Sequence, residues 1–287
     1  MATAPASLVF CSPPVAHIPL LDRIGPVAAA GFDAISLQPG DVWELEERGM
    51  SAQEIAARIA DTGLTVAEVD CAANWMPRHE TAGSSDPSLT ELLRSLTAAR
   101  VVETAARIGA RSVVAIDLSP SPPTLDEAAE GFARLCDLAD AHGLKAHIEF
   151  LPVSAIRSLG DAWAIVEAAG RANGGLTIDA WHFFRSGSTL AELAAIPGER
   201  IHTIQLCDAP AAPAADLWAE LMTARLLPGE GALDLPGLIR TLDAIGSTAP
   251  FGTEVFNTRQ TSQPLDQIAR DWAGATRAAL AQARGNA

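Results

Sequence analysis

Lysine is almost missing from this chain: Lys145 is its single example in 287 residues. It stands at the start of a strand-like run, several residues from where chemistry is expected, which argues against a Schiff-base mechanism. Basic residues are few altogether, 20 Lys and Arg against 35 Asp and Glu, for a formal charge of −15 and a pI near 4.7. Phosphate backbones and anionic bilayers need clustered basic side chains, so neither nucleic acid nor membrane is expected as a partner. Cysteine is sparse too. Cys11, Cys71, Cys136 and Cys207 are scattered without a CxxC pair, which removes a disulfide framework and a zinc knuckle. No apolar run reaches the roughly 18–20 residues of a membrane span. MATAPASLVF has neither the basic start nor the sustained apolar stretch of a secretory leader. A soluble, cytoplasmic protein is the expectation, and homo-oligomerisation is left open.

What is present is 48% hydrophobic sequence in a regular alternation of strand-like and helix-like segments. The strand-like runs are SLVFC (7–11), FDAISL (32–37), LTVAEVDC (64–71), RSVVAID (111–117), KAHIEFLP (145–152), LTID (176–179), IHTIQLC (201–207) and FGTEVF (251–256). Between them fall helical stretches near 18–30, 51–61, 88–108, 124–141, 159–172, 190–195 and 234–245, with a closing helix at 265–284. Gly31 and Gly109 end two of them as C′ glycines do. Ser51 with Glu54, and Thr124 with Glu127, have the spacing of N-terminal caps. A loop rich in Pro, Gly and Ser covers 77–87, SPSPP follows strand four, and the long connection 208–231 has room for a helix near 216–223. Eight βα units without a break in composition predict an α/β protein, a (β/α)8 TIM barrel, with residues 1–287 as a single domain. A doubly wound open sheet would want a glycine-rich phosphate turn after strand one, and CSPPVAHIPL offers none.

Strands five to eight share one peculiarity: each finishes on an oxygen-bearing side chain, Glu149, Asp179, Gln205 and Glu254 respectively. In a barrel these ends face a common mouth. Three carboxylates converging without a cation would repel one another, and a divalent ion resolves that. Oxygen donors favour Mg²⁺ or Mn²⁺, with Co²⁺ or Zn²⁺ as further candidates. Around this set, Arg185 and Arg225 have planar forks suited to an anionic or polyhydroxyl substrate; a structural ion pair of Arg225 with Glu230 is the alternative. Glu68 and Asp70 share a facing on strand three and either orient substrate hydroxyls or form buried polar packing. His147 lies one layer below Glu149, in a supporting or core position. Trp43, Trp75, Trp181, Phe183 and Phe184 fall on loops after strands two, three and six, and suggest either a partly apolar mouth or simple packing. Cys207 reads as a small core residue.

IEFLP, IDAWHFFRSG, IQLCDAP, RLLPGEGALDLPGLI and GTEVFN, in that order, resemble the xylose-isomerase-like TIM barrels along nearly the whole chain. That family includes sugar-phosphate isomerases and epimerases, inosose dehydratases, 3-dehydroshikimate dehydratases and AP endonucleases. The resemblance places one divalent metal per chain on Glu149, Asp179, Gln205 and Glu254, and turns His182 towards the substrate. Most members have His where Gln205 stands, whereas Gln occurs in the 3-dehydroshikimate dehydratase branch. The implied reaction removes a proton alpha to a carbonyl, with Glu149 and Glu254 as acid and base and an enediolate stabilised by the metal. An isomerase or epimerase of a small hydroxy-carbonyl compound is the first expectation. A dehydratase using His182 is the second, and a non-catalytic binding protein the third. AP-endonuclease activity is not expected, because six His residues and a charge of −15 supply neither a zinc cluster nor a basic DNA face.

Overall fold

Short runs of Val, Ile, Leu and Ala with little polar interruption are what a strand buried on both faces requires, and this chain has eight. In the computed structural model, which describes residues 6–80, 86–119 and 121–285, they form one closed parallel barrel in chain order. The strands are β1 (Leu8–Phe10), β2 (Ala34–Leu37), β3 (Thr65–Ala72) and β4 (Ser112–Ala115), then β5 (Lys145–Glu149), β6 (Gly174–Asp179), β7 (Ile201–Leu206) and β8 (Phe251–Thr253). Closure is made where Leu8, Val9 and Phe10 of β1 pair with Phe251, Gly252 and Thr253 of β8. The α/β barrel read from the sequence is the observed architecture.

The period of two along each strand separates two interiors. In β5, Ala146 and Ile148 join the large apolar core between barrel and helices. Phe10 belongs to the same layer, stacked on Trp272 of the closing helix at 4.9 Å between ring centroids. The barrel's own interior is different. Its apolar part is a separate cluster of Val9, Ala34 and Ala67, and beside it stand Glu68, His147, Thr177 and Thr203, all buried. A β-bulge brings Glu68 there: Ile35 pairs with Val66, but Leu37 pairs with Val69, so β3 carries one residue more than β2. Bulges re-aim a side chain in this way.

Helix starts follow the cap residues. Thr124, Ser158, Asp216 and Asp234 each accept a backbone N–H three residues on, which satisfies one of the orphan donors at a helix N-terminus. Ser51 accepts from Glu54, but the Glu54 carboxylate turns to Arg58 instead of completing a capping box. The helix expected over 88–108 is two helices, Pro87–Ser95 and Ala98–Arg107. The break occurs because the Leu96 carbonyl accepts from Ala73 and Asn74, which ties the chain to the loop after β3, and Thr97 caps a new start. The acidic stretch from 41 belongs to a helix, Pro39–Glu47, opened by Pro39 and a Gln38–Asp41 capping box. WHFFRSG, read as loop, contains a short helix, Ala180–Arg185. The loop expected at 77–87 lies partly outside the described residues, as does Pro120 of SPSPP. Among the described residues no helix is long and apolar enough to cross a membrane.

Candidate metal and active site

Four consecutive strands deliver the oxygen-bearing side chains to one end. Glu149 closes β5, Asp179 closes β6, Gln205 is the next-to-last residue of β7, and Glu254 follows β8 directly. In register, Asp179 stands opposite Gln205, and Gln205 opposite Gly252. All four are buried.

Asp179 has two partners. One oxygen caps the helix Ala180–Arg185 by accepting from the His182 N–H at 2.7 Å, and the other accepts from Arg225 Nη1 at 2.8 Å. The cap spacing turns the His182 imidazole back over the mouth, with Nε2 3.4 Å from Glu149 Oε1. Glu149, Asp179 and His182 thereby each offer a ligand atom within 4.8 Å of the others. The sequence grouped His182 with the substrate; the structure also puts its nitrogen among the oxygens.

Arg225 is the cation that faces them. The long connection after β7 turns back so that Ala224 pairs with Asn257 and Leu226 with Asp208, which inserts the Arg225 side chain, 1% exposed, into the mouth. Its Nη1 reaches Asp179 and, at 3.2 Å, Glu254 Oε2. The expected pairing with Glu230 does not form; that carboxylate accepts from the Leu227 N–H. One guanidinium does not balance the site. Burial, then the Asp179 charge, raise the Glu149 carboxyl to about 8 against the pull of Arg225. Burial raises Glu254 well above its ordinary range, and raises half-buried Asp70 likewise. Burial lowers the His182 imidazole to about 4, leaving it neutral. Gln205 gives its Nε2 to Glu254 at 3.5 Å, while Gln205 Oε1 and His182 Nδ1 are buried with no partner. Unmatched lone pairs beside carboxyls that resist ionisation fit a divalent cation.

Other expected site residues take different places. Arg185 is not open to a substrate: its Nε donates to Glu220 and its Nη2 to the Pro210 carbonyl, both at 2.7 Å. Trp181 is fully buried and donates to the same Glu220 at 2.9 Å. Trp75 is a core residue whose Nε1 donates to the Ile116 carbonyl. Trp43 packs under Arg100, 3.4 Å above its ring centroid, and Phe183 is fully buried. Trp43, Trp75 and Phe183 therefore pack away from the mouth, whereas Trp181 backs it from below, its ring 5.5 Å from the Arg225 guanidinium and 5.4 Å from the His182 ring. Glu220, the hub of this clasp, was not legible. It is buried on a short helix, Leu217–Thr223, whose Trp218 and Met222 are 48% and 40% exposed, the reverse of the usual pattern.

Glu68 stands inside the barrel. It accepts from Thr203 Oγ1 and lies 3.4 Å from His147 Nε2, while His147 bonds Thr177 and Ser112. Burial raises its carboxyl from 4.5 to about 7, opposed by the Thr203 hydroxyl and by Arg111. Folded Glu68 thus keeps a proton that the unfolded chain has released, so stability falls as pH rises from about 4.5 through about 7. That gap is worth about 3 kcal/mol. Glu68→Gln is expected to gain about this much over the parent at pH 8 and nothing at pH 4. Thermal unfolding of both proteins across that range checks it; equal pH slopes would mean that Glu68 does not titrate there.

The model of the xylose isomerase-like TIM barrel matches residues 24–281. Inosose isomerase of Bacillus licheniformis is 31% identical over 163 residues, which are 54% of this chain and 58% of that protein. The 3-dehydroshikimate dehydratase of Pseudomonas aeruginosa is 28% identical over 244 residues, 83% of this chain and 36% of the dehydratase. The chain therefore spans little more than half of the first relative and about a third of the second. The crystal structure of IOLI protein with a binding zinc atom has the same fold, with a TM-score of 0.82 at 20% identity, covering 96% of this chain and 98% of that one.

Proposed function

The chain belongs to the xylose isomerase-like TIM barrel family, and on that basis we propose that it is a divalent-metal-dependent isomerase or epimerase. Its substrate is a small hydroxy-carbonyl compound, sugar- or cyclitol-like. The observation that carries this reading is the convergence of Glu149, Asp179 and His182 beside the unmatched Gln205 oxygen. Glu149, Asp179, Gln205 and Glu254 would hold one ion per chain, with the His182 nitrogen also within reach. The oxygens suit Mg²⁺ or Mn²⁺, and the imidazole admits Zn²⁺ and Co²⁺. When bound, the ion supplies Lewis-acid polarisation of the substrate carbonyl.

The chain's own residues move the proton. Glu254 takes it from the carbon alpha to the carbonyl, and Glu149 returns one from its own side. Arg225, fixed between Asp179 and Glu254, keeps Glu254 oriented. The burial of all these groups excludes water, which strengthens each interaction.

A dehydratase is the second reading, favoured by the unmatched Nδ1 of His182 and by the dehydratase relative. On a substrate with a β-hydroxyl, Glu254 removes the α-proton and the C–O bond breaks. His182 relays to the departing hydroxyl a proton that the Glu149 carboxyl beside it supplies, so that the hydroxyl leaves as water. The test is deuterium uptake from D₂O at the α-carbon, with an inosose and 3-dehydroshikimate as probes. Exchange should vanish with EDTA and return with Mn²⁺ or Mg²⁺. Metal-loaded protein that exchanges neither probe would point to a binding protein instead. His182→Ala is expected to retain exchange; in the epimerase product formation survives with it, and in the dehydratase product formation collapses. Loss of metal from this variant would move His182 into the ligand set.

A further inference from the structure

The opposite end of the barrel, where the strands begin, carries two exposed cations and a buried imidazole that the proposed reaction does not use. We propose that Arg111, Lys145 and His202 form a second site there, for a phosphate-class anion, either inorganic phosphate or a phosphate monoester. A cavity of about 550 Å³ opens between the starts of β3, β4, β5, β7 and β8, lined among others by these three residues, Ser112 and Glu199. Arg111 precedes β4 and Lys145 opens β5, side by side, with the Lys145 N–H donating to the Arg111 carbonyl at 3.1 Å. Both side chains are exposed, and among the described residues neither has an ion-pair partner. In a chain of net charge −15 with one lysine, this pairing of free cations makes a local field that draws small anions.

The built element is His202. A bulge inserts it: Leu176 pairs with Ile201, but Thr177 pairs with Thr203, so β7 has one residue more than β6. The ring fits because Gly175 on β6 has no Cβ; one there would come within 2.5 Å of His202 Nε2. It packs edge-on to His147, 6.0 Å between centroids. His202 is 8% exposed, and neither ring nitrogen completes a well-formed hydrogen bond, although the Asn173 and Ile201 backbone lies beside the ring. Burial lowers the imidazole to about 4, so it is a neutral donor. An imidazole, an arginine fork and an ammonium lining one cavity are a donor set for a tetrahedral oxyanion. Two acids oppose it: Glu199 among the lining residues, and Glu68 one layer in, whose carboxyl feels the Arg111 charge. The layer of His147, Glu68 and Thr203 separates this cavity from the carboxylates at the other end.

Calorimetric titration of the full chain with inorganic phosphate, and separately with glycerol 2-phosphate, tests the site against sodium chloride at matched ionic strength. One saturable site is expected, with the His202 ring resonances shifting in proportion to occupancy. Arg111→Gln and Lys145→Gln should each weaken binding about tenfold, and together about a hundredfold. Both positions are exposed, so the variants should fold, as their thermal unfolding would verify. Binding of the ester as tight as phosphate assigns the cavity to an organic phosphate; binding of phosphate alone assigns it to the free ion. Absence of saturation, or binding that persists in the double variant without a His202 shift, overturns the proposal.

Discussion

Glu254→Gln is expected to lower turnover by about 10²–10⁴-fold, the usual cost of removing a general base, while the barrel stays folded. Glutamine preserves the size of the side chain and a ligand oxygen but cannot take the α-proton. Its neighbours make the change tolerable. Gln205 donates to one Glu254 oxygen and Arg225 to the other. The single amide oxygen of the variant can keep the shorter Arg225 bond while its NH₂ takes the place of the oxygen that faced Gln205, and one buried carboxyl whose ionisation is opposed disappears. Elemental analysis should therefore find metal at least partly retained, and deuterium exchange at the α-carbon should fall together with product formation. Unchanged exchange in the variant would transfer the base role to Glu149 and remove the assignment made above.

Arg225→Met is expected to destabilise the metal-free protein by about 3–5 kcal/mol, the range for breaking a buried ion pair from one side. Methionine fills much of the arginine stem, but the guanidinium's contacts with the Trp181 and Phe256 rings, 5.5 and 5.1 Å to their centroids, are lost. Also lost is the charge that faces Asp179 and Glu254. A divalent ion would replace part of that charge, so the stabilisation gained on adding Mn²⁺ should be larger in the variant than in the parent. Thermal unfolding with EDTA and with Mn²⁺ measures both quantities. Equal metal-free stability of the two proteins would show that Arg225 is not the counter-charge of the site, whatever the metal does.

The chain order of strands and helices, and the set Glu149, Asp179, Gln205 and Glu254 at four successive strand ends, were legible because both depend on local sequence. A strand's period of two fixes which residues share a face, and a parallel barrel aligns the strand ends without further information. The caps at Ser51 and Thr124 were equally local. His182 was legible as a neighbour of the site, since three residues from a capping Asp179 it must turn back towards the mouth.

What only the tertiary structure decided depends on contacts between segments distant in sequence. Arg225 enters the mouth because the connection after β7 pairs back with residues 208 and 257, and nothing in RLLPGEG fixes that return. Glu220 becomes the clasp of Trp181 and Arg185 although its own helix exposes its aromatic residue. Trp75 and Phe183 went to the core around the barrel because that layer had apolar surface to offer them, while Trp181 came to lie against Arg225 and His182. Glu68 and His202 reached the barrel interior through bulges in β3 and β7, and a bulge arises from the pairing of two strands. A periodic pattern read along one strand at a time cannot register it.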